Sequence, residues 1–141
     1  PTTELYTLSL HDALPICAFL SALRIELIGE VANDYRGAWR LTAPLIYHSK
    51  RLGDYVEVPA GFITDFESCP RLPILFLAFG EIVHSPAVVH DWLYTAPAPV
   101  SRADADAVLR EACIAVGVPA WRAWGVWAGV RLGGWRRYGS P

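Results

Sequence analysis

The hydrophobic period of this chain changes once, and that change constrains the fold more than any other feature. Residues 23–30 (LRIELIGE) alternate apolar and polar, the period of two of a half-buried strand. Residues 38–48 (AWRLTAPLIYH) predict a second strand, interrupted by Pro44. Proline has no N–H for a ladder, so it suggests an edge or a bulge there. Asn33, Asp34 and Gly37 mark a turn between the two. Residues 50–54, with Gly53, read as a hairpin loop, and residues 55–58 (YVEV) return as a third strand. Residues 62–66 (FITDF) are a short extended piece before a proline-rich loop.

The second half changes to helical spacing. Residues 75–79 read as a short buried helix ended by Gly80. Ser85-Pro86 is a helix start, because serine caps free N–H groups and proline fits the first helical position. That helix carries AVVHDWLY and stops before Pro97 and Pro99. Ser101 caps the next helix, residues 102–116, with Gly117 behind it. Pro119 opens a last helix that ends at Gly133-Gly134. Strands followed by helices predict an α+β domain: a small antiparallel sheet of about three strands in the N-terminal half and three to four helices in the C-terminal half.

Composition bounds the function classes. A length of 141 residues, 53% of them hydrophobic, fits one domain with its own core and excludes a disordered chain. A net charge of -2 gives no global sign of nucleic-acid binding. Cys17, Cys69 and Cys113 are odd in number and form no CxxC pair, so the expectation is reduced thiols, with Cys113 buried. No stretch reaches the roughly 18 apolar residues of a membrane span.

The densest polar cluster runs from Asp65 to Asp106. At about 100° per residue, His90 and Tyr94 are neighbours on one helix face with Ala87 and Asp91, opposite Val89 and Leu93. This predicts a half-buried site on a rigid backbone. Imidazole exchanges protons near neutral pH, and a carboxylate fixes its tautomer. His90 is therefore the candidate base and Asp106, early on the next helix, its orienter. Asp65 and Asp91 are candidate ligands for a hard cation such as Ca²⁺ or Mg²⁺. Ser68 is a candidate nucleophile or oxyanion donor, and Tyr94 completes the catalytic set. Each residue also has a plain structural reading. Asp104 and Asp106 suit the positive end of their helix, Asp65 caps a turn, and His48 and His84 have no visible partner.

The motifs VPAGFITDFESCPR, VVHDWLY and SRADADAVLREACIAVGV resemble a phage- and prophage-associated family, domain of unknown function 1353. The matching residues are Val58 to Phe62, Thr64, Asp65, Ser68, Pro70 and Arg71, then His90, Asp91, Leu93 and Tyr94, then Ser101, Arg102, Ala105 and Asp106. The resemblance spans roughly residues 38–135. Cys69 and Glu67 depart from its usual pattern. It implies phage origin, and with it the cytoplasm of a bacterial host or a virion. It implies no activity. A looser likeness is to the helix pair of phospholipase A2, where His90, Asp91, Tyr94 and Asp106 would play the helical His-Asp, its tyrosine and the orienting aspartate. The glycine-rich calcium loop and the disulfides of the secreted enzymes are missing. Residues 5–16 (LYTLSLHDALPI) resemble a translated sequencing-adapter peptide of metagenomic contigs, so residues 1–18 are expected to be a stub and 19–141 the domain.

Residues 118–141 hold Arg122, Arg131, Arg136 and Arg137 and no acid, with four tryptophans. A packed helix with a solvated basic tail, a membrane-surface helix, a nucleic-acid groove and self-association all fit this composition. Two functions remain in competition. One is a hydrolase of a lipid ester or cell-wall amide. The other is a non-catalytic phage accessory protein, a virion component or an inhibitor of a host defence, in which the His-Asp cluster is a buried network. A concave pocket holding a His90–Asp106 contact favours the first, and a walled-in His90 favours the second.

Overall fold

A computed structural model of the chain describes residues 17–30, 37–64, 84–95 and 100–133. Among these residues six strands precede three helices: β1 (Ala18–Phe19), β2 (Ile25–Glu30), β3 (Gly37–Leu41), β4 (Leu45–Ser49), β5 (Asp54–Val58), β6 (Ile63–Thr64), α1 (His84–Tyr94), α2 (Arg102–Ala115) and α3 (Ala120–Gly133). The α+β class is as expected. The expected single sheet is instead two three-stranded antiparallel sheets, ordered β1-β4-β5 and β2-β3-β6.

The difference comes from residues 42–44. The single strand expected over residues 38–48 is two strands in different sheets, β3 and β4, parted by a bend at Thr42-Ala43 and by Pro44. Pro44 therefore marks the end of one sheet and the entry to the next, rather than a bulge within one strand. The bend is held by its neighbours: Thr42 N–H donates to Arg24 O, and the Ser21 hydroxyl donates to Pro44 O while accepting from Ile46 N–H at 2.8 Å. The chain before β2 thus supplies the partners that proline cannot. It also supplies β1, in which Ala18, the last residue of the expected stub, pairs with His48.

Alternation is clearest in β4, where Leu45, Tyr47 and Ser49 are buried and Ile46 and His48 are not. Leu45 and Tyr47, with Val56 and Val58 of β5, pack on Val88, Val89, Leu93 and Tyr94 of α1 and on Ala105, Val108 and Ala112 of α2. A second cluster joins Leu109, Cys113 and Val118 to Ala123, Val126 and Val130 of α3. Helix α2 packs on both α1 and α3.

The helix ends follow local chemistry. Ser101 is the N-cap of α2, its hydroxyl accepting from Asp104 N–H at 3.1 Å. At the other end Gly117 adopts φ +95°, which frees Val118 N–H to reach back to Cys113 O and turns the chain toward α3. Pro119 O accepts the first amides of α3. The hairpin tip between β4 and β5 is anchored on α2, because Glu111 accepts Lys50 N–H, Arg51 N–H and the Tyr47 hydroxyl.

The helix expected at residues 75–79 lies outside the described residues, as do Asn33, Asp34, Asp65, Ser68, Cys69, Arg136 and Arg137. No helix among the described residues is long and apolar enough to cross a membrane.

Candidate functional site

The i, i+4 spacing on α1 places His90 and Tyr94 together, with ring centroids 4.1 Å apart. Their face is buried more deeply than the half-buried site expected from the sequence. It is turned onto α2, and His90 and Asp106 are both 0% exposed. The opposite side of α1 is also covered, since Val88, Val89 and Leu93 are core residues, while Asp91 and Trp92 are only partly buried.

Asp106 is the hub of the site. Its Oδ1 lies 3.0 Å from His90 Nε2 and accepts the Tyr94 hydroxyl. Its Oδ2 accepts Arg131 Nη1 from α3 at 3.1 Å and faces Arg102 Nε at 3.9 Å. Burial alone would push the Asp106 carboxyl up. The hydrogen bonds from His90, Tyr94 and Arg131 outweigh it and hold the group below the usual carboxylate range. An ionised carboxylate only accepts, so His90 Nε2 carries the proton in this contact. Burial, and then the bond to Asp106, push the Tyr94 phenol above its ordinary value and keep it protonated. Arg102 also spans to α3, donating to Val130 O and Arg131 O.

The other ring nitrogen of His90 differs. Nδ1 is buried and has no hydrogen-bond partner among the described residues. With Nε2 protonated, a neutral imidazole presents a lone pair at Nδ1. Such an unsatisfied buried group costs about 1–3 kcal/mol and calls for an explanation.

Asp91 reaches toward the sheet. Its carboxylate accepts the Thr64 hydroxyl from β6, tying the TD motif to the HD motif. Of the residues expected at the site, His90, Tyr94 and Asp106 come together and Asp91 is one residue away along α1. Asp65 and Ser68 lie outside the described residues, and no group of three His, Cys, Asp or Glu side chains gathers among those described.

Sequence reasoning missed Arg131, which it counted only among the arginines of the basic C-terminal stretch, and missed Thr64 as the partner of Asp91. The available signal for Arg131 was general: a buried carboxylate needs a counter-charge. Asp104, grouped with Asp106 in the sequence, plays another part. It receives the Ser101 hydroxyl and the exposed Arg51, and these, Ser101 first, hold its carboxyl below the usual range.

The family model described as Protein of unknown function (DUF1353) matches residues 39–130. The chain belongs to this family. The DUF1353 match runs from Trp39 in β3 to Val130 in α3, so it takes in His90, Tyr94, Arg102 and Asp106 and stops one residue before Arg131. Neither the curated proteins nor the solved structures gave a match.

Proposed function

We propose that the protein is a hydrolase in which His90 acts as general base through Nδ1 and Asp106 orients it. The observation that supports this reading is the buried Nδ1, without a partner among the described residues, on a ring whose Nε2 is held by a carboxylate. A water placed against Nδ1 would give up a proton as its oxygen attacks an acyl carbon. The imidazolium so formed is stabilised by Asp106, and its proton passes to the departing alcohol or amine. Tyr94, tied to Asp106 and kept protonated, is a positioning residue. From the sequence, Ser68 is the candidate oxyanion donor, and Asp65 with Asp91 are the candidate cation ligands. No step of the proposal runs through a cation. The family resemblance implies a phage or prophage origin, and a lipid ester or cell-wall amide is the substrate class proposed because it fits that context.

One observation favours the second reading, a non-catalytic phage accessory protein. His90 is fully enclosed, and three helices converge on Asp106. Turnover therefore requires an opening beside α1, whereas a structural network does not.

The test is hydrolysis by the full chain and by His90→Gln across lipid-ester and peptidoglycan substrates, with a thermal melt of each protein. The hydrolase reading expects turnover that falls by about 10²–10⁴ in the variant, the usual contribution of a general base, while the fold survives. Absence of turnover across the panel, together with a strongly destabilised His90→Gln, supports the accessory reading instead.

A further inference from the structure

The two sheets are held to the helices unequally. Sheet β1-β4-β5 packs Leu45, Tyr47, Val56 and Val58 against α1 and α2. Of the side chains described in sheet β2-β3-β6, only Leu41 and Thr64 are buried, while Leu27 is 52% exposed and Ile63 55%. An element with so little apolar cover opens at a lower cost than the core does. The crossings between the two sheets are short, at residues 20–24, 42–44 and 59–62, and the last contains Gly61 at φ +88°. Such element ends are where a hinge absorbs its change of backbone angle.

This second sheet ends against the flank of α1 that is least covered. Val88, Val89, Leu93 and Tyr94 sit in the core, and His90 meets Asp106 of α2. Between Pro86 and Tyr94 only Asp91 and Trp92 are not fully buried. Both are met from β6 and the residue before it. The Thr64 hydroxyl donates to Asp91, and the Phe62 ring meets Trp92 edge-on, with centroids 5.3 Å apart. Asp91 follows His90 by about 100° around the helix, so this flank adjoins the imidazole.

We propose that sheet β2-β3-β6 is a flap over the Asp91–Trp92 flank of α1, latched by the Thr64–Asp91 and Phe62–Trp92 contacts, and that its outward swing admits water and ligand to His90 Nδ1. The closed flap accounts for a histidine that is 0% exposed yet has a ring nitrogen without a partner among the described residues. Opening hydrates that nitrogen, and the recovered hydrogen bond offsets part of the cost of the swing. Gating of turnover rests on the hydrolase reading, whereas the flap itself does not.

The test therefore reads access rather than activity. Diethyl pyrocarbonate acylates an imidazole nitrogen that carries a lone pair. Peptide mass mapping of the full chain gives its rate at His90 and, as an internal reference, at His48 of the first sheet. His90 should react slowly in the wild-type chain. In Thr64→Val it should react about tenfold faster or more, the scale of one hydrogen bond to a carboxylate. The His48 rate should not change. Phe62→Ala removes the other contact and should act in the same direction, and it carries the test if Thr64→Val does not fold. Equal His90 rates in the wild-type chain and the folded variants overturn the flap. A joint rise at His90 and His48 also overturns it, because that is opening of the whole fold. Hydrolysis is assayed separately: faster labelling of His90 with no turnover keeps the flap and removes the hydrolase reading, and turnover with unchanged labelling does the reverse.

Discussion

Helix α2 carries two anchoring carboxylates five residues apart, Asp106 and Glu111, and they work under opposite conditions. Five residues turn a helix by about 140° from its starting direction, so the two look to different neighbours. Asp106 is fully buried and takes its hydrogen bonds from side chains, with α1 and α3 both reaching it. Glu111 sits at the rim and takes two of its three from the backbone of the β4–β5 hairpin tip. The first joins helices into one body. The second docks a loop on that body. A carboxylate in low dielectric with charged partners is costly to disturb, whereas one at the rim has water to fall back on.

The contrast can be broken in stages. Asp106→Ala strands His90 and Arg131 together and should cost about 3–5 kcal/mol in urea-induced unfolding, the scale for removing one member of a buried charged set. A loss under 1 kcal/mol would mean that the network is not closed. Tyr94→Phe removes a single hydroxyl bound to an ionised group and should cost about 1.5–3 kcal/mol in the same measurement. Glu111→Gln should cost about 1 kcal/mol. Its clearer sign is faster tryptic cleavage after Lys50 and Arg51, because the tip is no longer held. Equal cleavage rates would show that the tip is held by other contacts.

The smallest effect is on pH dependence. The folded Asp106 titrates below the ordinary carboxylate value, so the unfolded chain takes up the proton first as pH falls. Its contribution is intact above about pH 4 and is lost below that. Tyr94 and Tyr47 are raised, chiefly by burial, so the unfolded chain loses those protons first as pH rises. Stability should therefore fall above about pH 10. A melting temperature followed across pH tests both limbs, and Tyr94→Phe should soften the alkaline one. An alkaline limb unchanged in that variant would assign it to Tyr47 alone.

What was legible in the sequence was local. The Ser101 cap, the Gly117 reversal and the His90–Tyr94 pairing are each fixed within a few residues by hydrogen-bond chemistry and helical period. The Asp106 contact was within reach too, because a short connection sets α1 beside α2. Arg131 was not, since its partner is 25 positions away and on another helix. The single sheet failed for a related reason. Alternation on both sides of Pro44 reports strands, but which strands pair depends on Ser21 and Arg24, more than twenty and eighteen positions away from Pro44 and Thr42 respectively. The depth of the His90 site was misjudged because the polarity of a helix face does not say whether a second helix will cover it.

Arg102 gives the last turn of α3 a mechanical role. One guanidinium holds Val130 O and Arg131 O at the end of that helix while its Nε faces Tyr94 and Asp106. A slide of α3 along its axis would drag this group away from the phenol, and would carry Arg131 off the carboxylate in the same stroke. The end of α3 is thus tied, through Arg102 and Arg131, to the carboxylate that holds the imidazole two helices away.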